Sequence, residues 1–234
     1  MRKHSYTILS TASLPLERII IPRSVEVKVI PFIEIIPRPS EELKLLINQY
    51  SSKRLSVVFT SAHAVKFVSV LLEAKPKWKI YCIRNETRIA VVNWFGGEYG
   101  KKFASNALFL SKLMIADGIK EAVFFCGDQR LNILPDNLQK NGIHLTEQIV
   151  YDTRLTPTKL NQEPDAILFF SPTAVRSFFS MNALTPVTKV FVMGKTTGEA
   201  FRQFTTIPFT ISPEADKAFV LKMALEQASS HPTI

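Results

Sequence analysis

The chain has 234 residues and a formal net charge of +9, from 29 lysines and arginines against 20 aspartates and glutamates. A hydrophobic fraction of 46% with only eight glycines excludes wholesale disorder, collagen-like repeats and glycine-rich linkers. Glycine does not occur before Gly96, and no G-x-G-x-x-G or Walker-type phosphate loop is present. The excess of positive charge suggests an anionic partner.

Short runs of β-branched and aromatic residues alternate along the chain with segments of helical periodicity. The predicted strands cover 6–10, 25–30, 56–60, 79–83, 122–126, 144–150, 166–170, 189–193 and 207–211. The predicted helices cover roughly 41–50, 62–73, 86–95, 104–116, 131–141, 172–182, 196–204 and 213–227. This alternation predicts an α/β fold class with mostly parallel sheets covered by helices on both faces.

Two stretches of the chain repeat at a constant offset. A shift of 110 residues aligns VVFTSAHAVKF (57–67) with ILFFSPTAVRS (167–177), and KIYCIRNETRIA (79–90) with KVFVMGKTTGEA (189–200). A common offset in two separate blocks indicates two domains of like construction, each with a strand–Ser–helix–strand–Thr–helix unit.

The repeat places hydroxyl side chains directly after strands and before or within the first turn of helices. These residues are Ser61, Thr87, Ser171 and Thr197. The carboxyl ends of parallel strands bind ligands in open α/β sheets, and helix N-termini there suit carboxylates or phosphates. For each residue alone we favour an N-cap role, and Pro172 at the first helical position supports it for Ser171. The four together favour a shared ligand cleft.

Cysteine, histidine and hydropathy patterns place the chain in a broad class. Cys82 and Cys126 lie inside apolar runs, which favours buried thiols in a reducing compartment over a disulfide. The four histidines have no metal-ligand spacing, so we expect no metal. No apolar stretch approaches about 18 residues and the start lacks a continuous signal-peptide core, so we expect a soluble cytoplasmic protein without a membrane partner.

The densest basic patch is the segment Lys75-Pro-Lys-Trp-Lys79. An aromatic residue between lysines can contact phosphates and stack on a base. The segment also directly precedes the predicted strand 79–83, where lysines commonly mark a solvated strand entry. We favour the second interpretation, and therefore expect no nucleic-acid partner.

An ordered series of motifs across most of the chain resembles the uroporphyrinogen-III synthase family. The motifs are PFIEIIP, VVFTSAHAVKFV, IRNETRIA, FFCGDQRLNILPDNLQKNGIHLTEQIVYDT, ILFFSPTAVRSFF, VMGKTTGEAF and ISPEADKAFVLKM. Each motif is loose by itself, and the specificity lies in their order and spacing. The resemblance implies two flavodoxin-like, HemD-like α/β domains: an outer one of 1–35 and 154–234, and an inserted inner one of 38–150. A two-stranded connector near 32–38 and 150–156 would join them.

The resemblance also implies a reaction. The family closes the linear tetrapyrrole hydroxymethylbilane to uroporphyrinogen III, with loss of water and inversion of the last pyrrole ring, in porphyrin and haem biosynthesis. Such a lyase uses no cofactor and no metal, and its small-molecule substrate is a polycarboxylate. The alternative is a non-enzymatic two-domain module that closes on an anionic small molecule as a sensor or regulator. We expect a monomer, because no heptad pattern calls for a partner.

The candidate site residues follow from the family motifs. Tyr151 is the candidate catalytic residue, as a phenol that donates a proton or hydrogen bond to the departing hydroxyl; the alternative is an aromatic plug at the hinge. The candidate substrate-binding residues are Ser61, Thr87, Gly127, Arg130, Ser171, Gly194, Thr196 and Thr197. Arg130 would pair with a substrate carboxylate or instead cap its own helix against Asp128.

Two positions depart from the family pattern. A Thr-Arg pair usually follows the first strand, whereas this chain has Ser10-Thr11-Ala12, so that arginine's contact is absent or comes from elsewhere, such as Arg18 or Arg23. Arg84 stands where glycine is common, so a side chain there would replace a close backbone approach.

The net charge is divided almost equally between the two proposed domains. Residues 37–152 hold 16 basic and 11 acidic side chains, a net +5, which leaves +4 for the rest. A basic tail would have concentrated the charge, whereas an even division fits two domains that both bind one polyanion.

Overall fold

Two β-sheets, each covered by helices, organise the chain, and a computed structural model describes residues 5–229 apart from the side chain of Arg18. Two compact units result: unit 1 is the described part of Met1–Glu34 and Arg154–Ile234, and unit 2 is Ile35–Thr153. The predicted α/β fold class is confirmed.

The strands are β1 (Tyr6–Ser10), β2 (Val25–Val29), β3 (Ile33–Pro37), β4 (Ser56–Phe59), β5 (Lys79–Ile83), β6 (Lys102–Ala104), β7 (Glu121–Gly127), β8 (His144–Leu155), β9 (Ala166–Phe169), β10 (Lys189–Val192) and β11 (Phe209–Ile211). The α-helices are α1 (Glu41–Ser51), α2 (Ala62–Leu71), α3 (Glu86–Phe95), α4 (Ala107–Ala116), α5 (Ile133–Lys140), α6 (Pro172–Phe179), α7 (Lys195–Arg202) and α8 (Lys217–Ser229). Two short 3₁₀ helices cover Leu16–Arg18 and Gly97–Lys101.

The two sheets have the same strand order apart from a permutation of the chain. In unit 1 the order is β2-β1-β9-β10-β11, and these strands are parallel. In unit 2 the order β8-β7-β4-β5-β6 is again parallel, and β3 lies beyond β8. The strands β4 and β5 correspond to β9 and β10. The next two strands of the sheet are β1 and β2 in unit 1 and β7 and β8 in unit 2. In the chain, β1 and β2 come before the repeated segment, whereas β7 and β8 come after it.

The repeat predicted from the sequence is visible in the element boundaries. Helices α2 and α6 begin at residues 62 and 172, and strands β5 and β10 begin at residues 79 and 189, 110 apart in both cases. Helices α3 and α7 begin at residues 86 and 195, 109 apart, because β5 is one residue longer than β10, whereas two residues separate strand from helix in both units.

Alternation along the strands builds a core on each face of each sheet. In β4, Val57 and Phe59 pack with helices α1, α2 and α3, whereas Val58 faces helices α4 and α5. In unit 1, α6 and α7 cover one face and α8 the other. Both cysteines are buried and free, as predicted, and burial raises the pKa of Cys82 to about 11 and of Cys126 to about 12. In residues 5–229 no helix is long and apolar enough to span a membrane.

Among the predicted boundaries that differ from the structure, two have clear local reasons. The helix predicted over 104–116 begins only at Ala107, because Asn106 caps it by accepting a hydrogen bond from the Phe109 amide at 3.1 Å. The residues before it form β6, which is too short to show an alternating pattern. Strand β8 runs five residues beyond its predicted end at residue 150, into the segment that leads back to unit 1.

A partly exposed charge cluster around the buried Tyr81 ties β5 and β6 to the end of α4. The Tyr81 hydroxyl donates to the Asp117 carboxylate at 2.6 Å, and the ammonium groups of Lys79 and Lys102 lie 3.1 and 3.0 Å from the same oxygen. The Tyr81 hydrogen bond, with the two lysines, holds the pKa of Asp117 well below its ordinary value of 3.8. The cluster therefore stabilises the fold while Asp117 is ionised.

We expect Asp117→Asn to lower the free energy of unfolding by about 1 to 2 kcal/mol at neutral pH, since charge-assisted hydrogen bonds are lost. The pKa of Asp117 is lower in the folded protein than in the unfolded chain, where it is about 3.8. The stabilisation is therefore complete at pH values above 3.8, and it is lost as the pH falls through the pKa of the folded protein. Urea unfolding of both proteins at decreasing pH measures it. The exposed pair Arg38–Asp152 supplies the control, because Asp152→Asn should have little effect. An equal loss in both variants would contradict the special role of the cluster.

Candidate active site

Tyr151 and Gly127 meet where β7 ends. Gly127 is the last residue of β7 and pairs with Tyr151 on β8 across a register shift. A Cβ atom on Gly127 would lie 2.3 Å from Cε2 and 2.4 Å from Cζ of the Tyr151 ring. Glycine is therefore required at residue 127 for the phenol ring to lie across the end of the strand.

The Tyr151 hydroxyl points at the first turn of α2. It donates to Ser61 Oγ at 3.1 Å, and Ser61 also accepts from the backbone N–H of His63 at 3.2 Å. A hydroxyl has two lone pairs and one proton. Both lone pairs of Ser61 are occupied, so its own proton is the group that it can offer to a ligand. The structure thus brings the predicted residues Ser61, Gly127 and Tyr151 together.

An aromatic group on α2 fixes the orientation of the Tyr151 ring. The rings of His63 and Phe67 lie 6.0 and 5.9 Å from it, centroid to centroid, in edge-to-face geometry. Edge-to-face pairs of this kind are favourable and directional. Sequence reasoning missed His63 and Phe67 as site residues. Their spacing of four residues on one helix was the signal that could have indicated them.

Burial governs the acidity of Tyr151. Removal of the phenol from water raises its pKa above the ordinary value of 10.0, and the hydrogen bond with Ser61 opposes this only in part. The phenol therefore stays protonated throughout the neutral range. It can donate a hydrogen bond or a proton, and it is not a resident base.

Arg130 is engaged by its own unit. Its Nε donates to the Glu147 carboxylate and its Nη1 to Asn132 Oδ1, and the pairing with Glu147 raises its pKa. The predicted alternative, a cap against Asp128, is wrong: Asp128 accepts from the Thr153 backbone N–H at 2.8 Å instead. Because Glu147 already neutralises it, Arg130 is a weaker carboxylate ligand than its sequence position indicated.

Thr87 lies in the first turn of α3, on the next strand-to-helix turn. Its side chain is buried, with 3% of its surface exposed. The N-cap residue of this helix, Asn85, makes no side-chain capping bond and has a φ of 66°, a region that favours glycine. Asn85 therefore provides no side-chain cap for the first backbone N–H groups of α3.

In unit 1, Ser171 lies in the turn after β9, which is equivalent to the turn of Ser61 after β4 in unit 2. Its Oγ accepts from the backbone N–H of Ala174 at 3.1 Å, so Ser171 is the N-cap of α6, with Pro172 in the first position of the helix. Capping and ligand binding are compatible, because the hydroxyl proton of a capping serine remains available to an acceptor.

The turn after β10 carries Gly194, Thr196 and Thr197. Gly194 is the N-cap of α7 without a side-chain capping bond, and a Cβ atom there would contact nothing within 4 Å. Thr197 is buried, like Thr87, with 3% exposure, whereas Thr196 is partly exposed. In both units the first helix of the repeat is thus capped by serine, and the second begins without a side-chain cap, as suits an anion.

The departure after the first strand has a local explanation. Ser10 Oγ donates to the Ala12 carbonyl at 2.5 Å, and Thr11 Oγ1 donates to the Leu168 carbonyl at 2.7 Å, so both hydroxyls satisfy the backbone. Arg23 does not supply the absent arginine at this edge, because it precedes β2 and lies at the amino end of the sheet. The side chain of Arg18 lies outside the described part of the structure.

The basic patch at 75–79 has a structural role. Trp78 is buried, with 6% exposure, and its Nε1 donates to the Tyr50 carbonyl at 2.8 Å. Lys75 pairs with Glu98 at 2.6 Å, and Lys79 with Asp117 at 3.1 Å. A buried indole offers no face for a base, which supports the strand-entry interpretation. In residues 5–229 no three His, Cys, Asp or Glu side chains gather as a metal site requires.

Comparison with known proteins identifies the class to which this fold and site belong. A sequence model described as uroporphyrinogen-III synthase HemD matches residues 16–219. The chain therefore belongs to the uroporphyrinogen-III synthase family, the lyases that form uroporphyrinogen III in porphyrin and haem biosynthesis, as its motif series predicted. The match does not favour the alternative of a non-enzymatic module.

Solved structures support the fold. The uroporphyrinogen-III synthetase of Helicobacter pylori is 18% identical, with a TM-score of 0.64 over 95% of this chain and 99% of that one. A mutant uroporphyrinogen III synthase of Thermus thermophilus is 14% identical, with a TM-score of 0.64 over 97% and 99%. No curated protein sequence gives a significant match. At these identities the likeness concerns the fold alone.

Proposed function

We propose that this chain converts hydroxymethylbilane to uroporphyrinogen III with Tyr151 as its proton donor. The observation that carries the assignment is the partly buried, protonated phenol held over Gly127 and hydrogen-bonded to Ser61. A group of this kind can protonate a departing hydroxyl without being consumed as a nucleophile. Units 1 and 2 are then the outer and inner domains of the enzyme.

The proposed reaction begins at the hydroxymethyl group. Tyr151 gives its proton to the leaving hydroxyl, which departs as water and leaves an electrophilic azafulvenium cation opposite the phenolate. The substituted carbon of the last pyrrole attacks this centre to give a spiro intermediate, which fragments and recloses with that ring inverted. The proton lost by the pyrrole carbon in the final closure returns to the phenolate, so the enzyme ends as it began.

The remaining candidates bind and orient the substrate. Ser61 and Ser171 offer hydroxyl protons, and the turns at Gly194–Thr197 and Thr87 offer backbone N–H groups to acetate or propionate side chains. The uncatalysed closure gives the non-inverted isomer, so the enzyme must hold the chain in a conformation that excludes direct attack. We propose that it acts as a cytoplasmic monomer on this polycarboxylate and not on nucleic acid.

Product analysis tests the proposal directly. Freshly generated hydroxymethylbilane is supplied to the protein, the products are oxidised, and the uroporphyrin isomers are separated by chromatography. We expect isomer III to predominate, and only isomer I in a parallel reaction with heat-denatured protein. Isomer I alone in both reactions would overturn the proposed function.

A further inference from the structure

Arg84 lies on the same sheet edge as Ser61 and Tyr151. The last paired residues of β4 and β5 are Phe59 and Cys82, and Ser61 and Arg84 each follow two residues later. Adjacent strands in a sheet lie about 4.8 Å apart. Arg84 therefore begins one strand away from the Ser61 hydroxyl, on the side opposite β7 and β8.

The backbone and side chain of Arg84 are both anchored. Its N–H donates to the Ala104 carbonyl at 2.7 Å, and its guanidinium lies 5.7 Å from the centre of the Phe103 ring. Residue 84 is nevertheless exposed. The guanidinium is thus attracted to the ring and at the same time accessible to an anion from solvent.

The charge of Arg84 is not neutralised within the described chain. Arg38, Arg130 and Arg154 each pair with a carboxylate, whereas neither Arg84 nor Arg88 has one within 4.0 Å in residues 5–229. Arg88 lies 4.1 Å from the same Phe103 ring and donates to the Gly100 carbonyl at 2.9 Å. Two guanidinium groups thus lie against one ring, and a bound anion would reduce the repulsion between their positive charges.

We propose that Arg84 is a further substrate-binding residue, which binds a carboxylate side chain of the tetrapyrrole beside Ser61. The inference rests on the proposed function, since it assigns one contact of the same substrate. A guanidinium binds a carboxylate through two parallel hydrogen bonds, which fixes orientation as well as affinity. Arg88 stays on Gly100 and adds positive potential behind the contact.

The test compares Arg84→Met, Arg84→Lys and the control Arg54→Met. Methionine keeps an unbranched stem that can pack on Phe103 and removes only the charged fork. Arg54 is also exposed but precedes β4, at the opposite edge of the same sheet. All three are assayed for kcat, KM for hydroxymethylbilane, isomer ratio, affinity for uroporphyrin III at low and high salt, and thermal unfolding.

We expect Arg84→Met to raise KM about tenfold while kcat changes less than about twofold, because uniform binding is lost. Affinity for uroporphyrin III should fall in parallel and depend less on salt. Arg84→Lys should show an intermediate KM, and Arg54→Met the wild-type value. Thermal unfolding should be unchanged in all three.

The outcomes separate this inference from the function on which it rests. If wild-type protein gives only isomer I, the proposed function fails whatever Arg84 does. If wild-type protein gives isomer III and Arg84→Met keeps the wild-type KM and uroporphyrin affinity, the role of Arg84 is refuted and the function stands. Equal losses in Arg54→Met and Arg84→Met would also refute it, since general charge would then explain both.

Discussion

Tyr151→Phe is expected to lower kcat by about a hundredfold, because general acids contribute factors of this order and the variant has no proton to give. KM should change less than about threefold, since the ring that contacts the substrate remains. Steady-state kinetics with hydroxymethylbilane measures both constants. Rapid chromatography is required, because spontaneous closure to isomer I competes with the slowed enzyme.

The loss should not come from the fold. Within residues 5–229 the hydroxyl makes one hydrogen bond, to Ser61, so its removal should cost about 1 kcal/mol of unfolding free energy. Tyr99→Phe is the matched control, because that phenol also makes one hydrogen bond, to the Pro76 carbonyl at 2.6 Å, away from the candidate site. If both variants lose similar stability and only Tyr151→Phe loses kcat, the loss of activity comes from the missing proton donor and not from a weakened fold.

Ser61→Ala distinguishes the two partners of this hydrogen bond. If Tyr151 is the proton donor and Ser61 a binding group, the serine variant should raise KM more than it lowers kcat. An unchanged kcat in Tyr151→Phe would return Tyr151 to the alternative role of an aromatic plug. Its contacts with His63 and Phe67 would then be its purpose.

The architecture could be predicted from the sequence because it depends on local patterns. Strand β5 and helix α3 have the predicted bounds, since the short apolar run in KIYCI and an apolar period through residue 95 each identify one element. The repeat at a constant offset further indicated two like units. Strand β6 was missed because three residues hold no period, and its stability comes from pairing with β5.

The candidate site could be predicted only in part. Ser61 and Ser171 are N-caps at the carboxyl ends of strands. Both their capping of a helix and their position after a strand could be predicted from the strand–Ser–helix pattern. The hydrogen bond between Tyr151 and Ser61 could not be predicted from the sequence, because the two residues are 90 positions apart in the chain. They come together only because the strands lie in the order β8-β7-β4. The neutralisation of Arg130 by Glu147 depends on the same long-range pairing of strands.

Gly127→Ala adds a single methyl group, and we expect it to lower both activity and stability more than an added methyl group at any other glycine near the candidate site. The new Cβ would overlap the Tyr151 ring at 2.3 Å, a distance that real Cβ contacts do not show. The ring must move, and its hydroxyl then leaves Ser61. We expect kcat to fall about a hundredfold, as when the proton donor is lost, and the unfolding free energy to fall by about 1 to 3 kcal/mol through overpacking.

Gly97→Ala is the control for this change. It adds the same methyl group in the same unit, at a residue where nothing lies within 4 Å of the new atom. Activity should stay at the wild-type level and stability should change little. Kinetics and urea unfolding of the two alanine variants make the comparison. Full activity in Gly127→Ala would show that the ring position over Gly127 is unimportant for the reaction.

The double variant Gly127→Ala/Tyr151→Phe shows whether the glycine acts through the tyrosine. If its only effect on catalysis is to displace the phenol, the double variant should be no slower than Tyr151→Phe alone, because the proton donor is already lost. The stability of the double variant should be close to that of Gly127→Ala alone, because the displaced phenol has already lost its hydrogen bond with Ser61 and phenylalanine keeps the ring that the methyl group overlaps. Losses of kcat that multiply would instead mean that Gly127 serves the reaction by its own backbone, independently of Tyr151.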